Sequence, residues 1–147
     1  MEYQINLIRV VDGDTVIADI DLGFDIILRS QTIRLNNIDS PEIHSNDEAE
    51  KKQGLISKQK LINLLMRVDI KTNQFIPKPN IILFTEKNYR DKYGRILGGL
   101  KCGNIIINDY LVKNNYAVKY EGENKADVKK LHLQNRQILI NRKELFL

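Results

Sequence analysis

Residues Arg34 to Glu42, RLNNIDSPE, bring a cation and two carboxylates, Asp39 and Glu42, into nine positions. Earlier, Asp12-Gly13-Asp14-Thr15 sets two more carboxylates around a turn signal. Hard divalent ions take oxygen ligands, and carboxylates gathered at neighbouring strand ends can supply them. Asp14 and Asp39 are the natural pair, with the Ser40 carbonyl as a neutral third ligand. Carboxylates held close repel one another, so a bound metal ion is a good reason for such a pair to exist.

Charge is segregated along the chain. The net charge of +4 hides a balance of −8 over residues 1–50 and +12 over residues 51–147. Either the surface simply solvates two unlike halves, or an acidic face for a cation lies beside a basic face for phosphate. Taken singly, each motif has a plain explanation. Asp-Gly makes a hairpin, Arg34 a surface ion pair, Glu42 an exposed loop carboxylate and Asp91-Lys92-Tyr93-Gly94-Arg95 a charged turn. Their joint occurrence in order is more informative than any one of them.

Strands and loops must position these groups. Thr32, Arg34 and Asn36 alternate with Ile33 and Leu35, which places Arg34 on the polar face of a half-buried strand. Pro41 lacks an N–H and biases Ser40 toward extended backbone, so the strand ends there and Asp39 and Glu42 sit at its loop end. Ile5 to Val11, Thr15 to Asp21 and Ile26 to Asn36 predict a three-strand meander, with reversals at Asp12-Gly13-Asp14 and at Leu22 to Asp25.

Asp47 to Met66 changes to helical spacing, with Asn46 or Asp47 as its cap and acidic groups in its first turn. Residues 67–80 are ambiguous, since Pro77 and Pro79 mark a loop or edge excursion. Ile81 to Glu86 and Arg95 to Cys102 predict strands, with Gly94 turning between them. Asn108 to Asn115 predicts a short helix. Ala126 to Glu144 predicts a last helix with a stripe of Val128, Leu131, Ile138 and Leu145. Strands, helix, strands, helices in that order suggest an α+β fold around a small closed sheet.

The 147 residues fit one domain, 1–147, and a hydrophobic content of 42% with 29% charged residues fits a soluble globular protein. No apolar run approaches the roughly 20 residues that cross a bilayer, so no membrane partner is expected. MEYQINLIRV has none of the regions of a signal peptide, which predicts action in the cytoplasm or host-cell interior. Cys102 is the one cysteine, which excludes an internal disulfide and a thiolate zinc cluster. Cys102 is expected inside the barrel, and His44 and His132, which lack a partner histidine at ligand spacing, are expected to be ordinary polar positions.

Three segments together carry a resemblance. Val11-Asp12-Gly13-Asp14-Thr15-Val16, then Ile33-Arg34-Leu35 with Ile38-Asp39-Ser40-Pro41-Glu42, then Asp91-Lys92-Tyr93-Gly94-Arg95 resemble the staphylococcal nuclease (thermonuclease) family. Ile107 to Val112 and Tyr116-Ala117 are similar to that family's second helix and the segment after it. The resemblance runs from about Ile8 to about Leu145. It implies a five-stranded OB-fold β-barrel with three helices, and a monomer that hydrolyses DNA and RNA with Ca²⁺ and leaves 3′-phosphates. It further implies that Asp14, Asp39 and the Ser40 carbonyl hold Ca²⁺ with Asp12 behind them. Arg34 and Arg95 would grip the scissile phosphate, Glu42 would act on the attacking water, and Lys92 and Tyr93 would contact a neighbouring phosphate. Ser40 stands where threonine is usual, which is nearly silent if the ligand is the backbone oxygen. Tyr116 and Tyr120 both lie near the family's base-stacking tyrosines, and the register there does not choose between them.

These residue types suit the reaction on physical grounds. Attack of water on a phosphodiester builds negative charge on its equatorial oxygens. A guanidinium meets that charge with paired planar donors and keeps its own charge. A divalent ion draws phosphate and water together, and a carboxylate such as Glu42 can take a proton from the water or orient it. A nuclease of phage, viral or plasmid origin, working inside a cell, fits the absence of an export signal. Two alternatives compete: a catalytically silent OB-fold module that binds single-stranded nucleic acid or a protein, and a structural or regulatory protein alike only in fold.

Overall fold

The computed structural model describes all 147 residues. β1 (Glu2–Asp12), β2 (Thr15–Asp21) and β3 (Ile27–Leu35) form the expected meander. Alternate residues point inward: Ile5 and Leu7 on β1, Val16, Ala18 and Ile20 on β2, and Ile33 and Leu35 on β3 are all buried. The β1–β2 register shifts between Leu7 and Arg9 and again between Val10 and Asp12. Such bulges bend a strand and increase its twist, which lets a short sheet curl.

β4 (Ile38–Asp39) leads to α1 (Glu48–Leu65), whose Asp47 cap accepts a hydrogen bond from the Ala49 N–H. Gly54 lies inside this helix because nothing larger fits. A Cβ there would lie 2.6 Å from the Pro41 carbonyl oxygen and 3.0 Å from Ile43. β5 (Met66–Val68) and β6 (Phe75–Pro77) then pair as a separate hairpin, which accounts for the ambiguous 67–80 segment as an edge excursion ending at Pro77.

β7 (Ile81–Phe84) and β8 (Ile96–Cys102) complete the barrel. β1 pairs with β7 and β7 with β8 in antiparallel fashion. β8 then runs parallel to β3, with Ile33 opposite Ile96, Arg34 opposite Leu97 and Leu35 opposite Gly98. This last pairing closes β1, β2, β3, β7 and β8 into a five-stranded OB-fold barrel. Short β9 (Ile105–Ile106) extends the β8 edge and runs into α2 (Ile107–Lys113). β10 (Val118–Lys119) pairs back onto β4, and α3 (Lys125–Asn141) closes the α+β fold. Cys102, at the end of β8, packs partly buried against the core.

One hydrophobic cluster of 22 buried residues joins the barrel to all three helices. The stripe expected on α3 is borne out in half. Val128 and Leu145, the latter just past the helix end, are buried, whereas Leu131 and Ile138 are each 38% exposed and Asn135 and Leu139 take the docking positions between them. A polar side chain on the docking face hides part of it from a search for apolar spacing. The helix also stops at Asn141, short of Glu144, because Lys143 adopts a left-handed φ of 61°.

Candidate active site

The turn between β1 and β2 is pressed against the end of β4. A Cβ on Gly13 would lie 2.7 Å from Ser40 Cβ and 2.8 Å from Ser57 Cβ, so only glycine allows this approach. Asp14 is buried beneath that contact. Its Oδ1 accepts from the Thr15 hydroxyl at 2.9 Å, and its Oδ2 accepts from the Ser40 N–H at 2.9 Å. The Asp14 N–H donates to Asp12 Oδ1 at 3.2 Å.

Arg34 reaches this cluster from β3. Its Nη2 lies 3.3 Å from Asp14 Oδ2 and 3.4 Å from Asp39 Oδ1, and its Nη1 donates to the Leu35 carbonyl at 2.6 Å. Arg95 enters from the start of β8, across the β3–β8 seam. Its Nε donates to Asp91 Oδ2 at 2.7 Å, while Asp91 Oδ1 accepts from the Tyr93 and Arg95 N–H groups at 2.9 Å each. One aspartate thus shapes the turn and anchors the guanidinium stem. Partial burial opposes the charge on Asp91, but these bonds with Arg95 and the turn hold its carboxyl below the usual range.

Asp12, Asp14, Arg34, Asp39, Glu42 and Arg95, with Ser40, line one cavity of about 330 Å³. Groups spread over more than 80 positions of sequence therefore converge. Glu42 is exposed at its rim, where Oε1 accepts from the His44 N–H at 3.0 Å. His44 is exposed, as expected of an ordinary polar position. Lys92 and Tyr93 stay outside the cavity wall. Tyr93 is 71% exposed, and its ring carries Lys92 Nζ at 5.2 Å and the Arg95 guanidinium carbon at 5.4 Å from its centroid.

The acids of the cavity are electrostatically unlike. Burial, then hydrogen bonding to Asp14 and its charge, push the Asp12 carboxyl up to about 7. Burial also opposes ionisation of Asp14, but its bond with Asp12, the Arg34 guanidinium, the Ser40 N–H and the Thr15 hydroxyl hold it low. A buried carboxylate kept ionised beside a second acid is an all-oxygen donor set that suits a hard divalent cation. In this conformation no three acidic or imidazole groups are drawn together tightly enough to hold an ion. The guanidinium of Arg34 instead bridges Asp14 and Asp39.

The structure decides one point that the sequence left open and adds one that it missed. The tyrosines near the family's stacking positions separate cleanly. Tyr116 is buried, its hydroxyl donates to Glu144, and burial followed by that contact pushes its pKa up to about 12. Tyr120, 37% exposed and tied through its N–H to the Asn37 carbonyl at 2.9 Å, lines the cavity and its two neighbours. The second is His132, whose Nε2 lies 2.8 Å from Asp39 Oδ2. Its expected role as an ordinary polar position does not hold, because α3 folds back over β4 from 93 residues away. No local spacing could have shown that contact.

Comparison with known proteins gives the family. The family described as "Staphylococcal nuclease homologue" matches residues 32–144. The chain belongs to the staphylococcal nuclease family. It is also similar to a thermonuclease of Staphylococcus hyicus, at 28% identity over 120 residues. That alignment covers 79% of this chain and 59% of the relative, so the chain spans well under two thirds of that protein's length.

Proposed function

We propose that this chain is a Ca²⁺-dependent endonuclease, indifferent to the sugar, that hydrolyses DNA and RNA phosphodiesters and leaves 3′-phosphates. The observation that carries the reading is the meeting of two guanidinium groups, Arg34 and Arg95, with Asp14, Asp39 and Glu42 in one cavity. A bound divalent ion supplies Lewis-acid stabilisation of phosphate charge and a more acidic water. Asp14, Asp39 and the Ser40 carbonyl would hold the ion, with Asp12 behind them.

Arg34, whose guanidinium lies beside Asp14 and Asp39, would offer its N–H donors to the phosphate. Arg95, anchored at its stem by Asp91, presents its remaining N–H donors to the same phosphate. The two hold charge that grows toward the transition state, where a donor acts most effectively. Glu42 accepts or directs the proton of the attacking water from the solvent side. Lys92 and Tyr93, on an exposed turn, suit a phosphate farther along the strand.

Adjoining cavities of about 420 and 520 Å³ share Tyr120 with the central one, so the open surface is longer than one phosphate. Such a groove suits a polymer, with Tyr120 as a surface against which a base can lie. A monomer suffices, since every group named comes from one chain.

Nicking of supercoiled plasmid and cleavage of RNA, each with Ca²⁺ and with chelator, test the reading, followed by end-group analysis. Cleavage with Ca²⁺ that chelator abolishes and that leaves 3′-phosphate ends is expected. Retention of nucleic acid without cleavage under any divalent ion would instead favour the silent binding module.

A further inference from the structure

The geometry points to His132 as the positioning residue for Asp39, an inference that rests on the metal-site reading above. His132 Nε2 lies 2.8 Å from Asp39 Oδ2, and the histidine side chain is 13% exposed. A carboxylate can only accept, so Nε2 carries the proton. Nδ1 is enclosed and has no partner. No acceptor faces Nδ1, whereas the Asp39 carboxylate faces Nε2, so the contact with Asp39 fixes the Nε2–H tautomer.

This bond settles how Asp39 presents itself. Oδ2 is turned toward α3 and held, while Oδ1 faces the Arg34 guanidinium at 3.4 Å. One oxygen is therefore committed to the protein and the other is kept toward Asp14. The Asp39 backbone is already fixed by pairing with Val118. Without His132, the carboxyl keeps its place but loses its orientation, and a cation must then order it on binding.

The histidine is itself anchored. Its carbonyl accepts from Gln53 Nε2 at 3.0 Å, and Gln53 Oε1 accepts from Arg136 Nε at 3.0 Å. Gln53 is 1% exposed, so this tie is rigid and reaches from α1 to α3. The orientation of a ligand that follows β3 thus depends on how a helix near the end of the chain is docked.

Calorimetric titration of the full chain with Ca²⁺ tests this, comparing wild type, H132L, H132Q, D39N and D39N/H132L. H132L should bind Ca²⁺ about tenfold more weakly, in the range of lost outer-shell partners, with an unchanged circular dichroism spectrum. H132Q restores an N–H donor at comparable reach and should stay within about threefold of wild type. In the D39N background, H132L should add no further loss. Wild-type affinity in folded H132L, or an equal loss with and without Asp39, overturns the inference alone. A wild-type chain that takes up no Ca²⁺ overturns the metal reading first and this inference with it. Should H132L fail to fold, NMR of the wild-type His132 ring carries the test. Its Nε2–H should be detected and shift as Ca²⁺ saturates, and a ring indifferent to Ca²⁺ overturns the proposal.

Discussion

At the scale of single residues, charge alone does not account for the site. Arg34 makes three contacts with one guanidinium, to Asp14, Asp39 and the Leu35 carbonyl. Lysine would preserve the charge and lose the fork. Arg34→Lys and Arg95→Lys should each lower turnover about 10²-fold, in line with loss of one well-placed donor, while thermal melting moves little. Glu42→Gln keeps an oxygen for the His44 N–H and loses only the base. It should therefore cut turnover about tenfold or more without altering the melting curve, and normal turnover would remove Glu42 from the mechanism. Asp12 gives a separate prediction for the metal-free chain. Its folded pKa of about 7 lies above the ordinary 3.8. It therefore costs the fold nothing below about pH 4, and the cost grows as pH rises toward 7 and is complete above it. Asp12→Asn keeps the Oδ1 acceptor for the Asp14 N–H and removes that cost. Denaturant melts in chelator should show Asp12→Asn more stable than wild type at pH 8, on the order of 1 kcal/mol after allowance for solvent screening, and equal at pH 4. The acids and arginines of the site were legible because each lies in a short motif. The role of His132 and the choice of Tyr120 over Tyr116 were not, because both depend on what α3 and β10 pack against.

Elements show the same division between local and distant causes. The β1–β2 meander, the cap of α1 at Asn46 or Asp47 and the Gly94 turn were readable from the sequence, because strand alternation, cap chemistry and turn residues act within a few positions. The pairing of β5 with β6 and the middle of the buried face of α3 were not, since a short edge hairpin and a polar docking position leave no apolar period. Gly54 shows why propensity alone misleads. In an exposed helix, Gly→Ala typically stabilises by about 1 kcal/mol. Here the new methyl would meet the Pro41 carbonyl at 2.6 Å and the Glu42 carbonyl carbon at 3.1 Å, both backbone atoms of the loop that carries Glu42. Gly54→Ala should therefore destabilise by about 1–3 kcal/mol, as overpacking does. It should also lower cleavage more than it lowers Ca²⁺ affinity, because the loop moves Glu42 before it moves Asp14. Denaturant melts with parallel turnover and calorimetric measurements would check both parts. A more stable and fully active variant would show that the loop gives way freely.

Across the whole molecule, two kinds of cohesion differ in strength. The barrel is closed by backbone pairing around an apolar core, while α3 is fastened mainly by a polar seam. Gln53 donates to the His132 carbonyl, Arg136 donates to Gln53, and Asn135 donates to the Ala117 carbonyl at 3.3 Å while accepting from Asn115 at 3.1 Å. Only Val128 and Leu139 of this helix are buried and apolar. A polar seam depends on every partner being present, because an orphaned buried group costs about 1–3 kcal/mol. Gln53→Leu is close in size and removes both bonds at once. It leaves the His132 carbonyl with only its helical N–H partner and Arg136 Nε without its acceptor. Loss of that order should free α3 well before the barrel opens, as local unfolding precedes global. Hydrogen exchange should show α3 amides from His132 onward exchanging about tenfold faster or more in Gln53→Leu, with β2 and β3 amides protected as before. If α3 and the barrel lose protection together, the helix and barrel unfold as one cooperative unit. If neither changes, the apolar contacts of Val128 and Leu139 hold the helix without the seam.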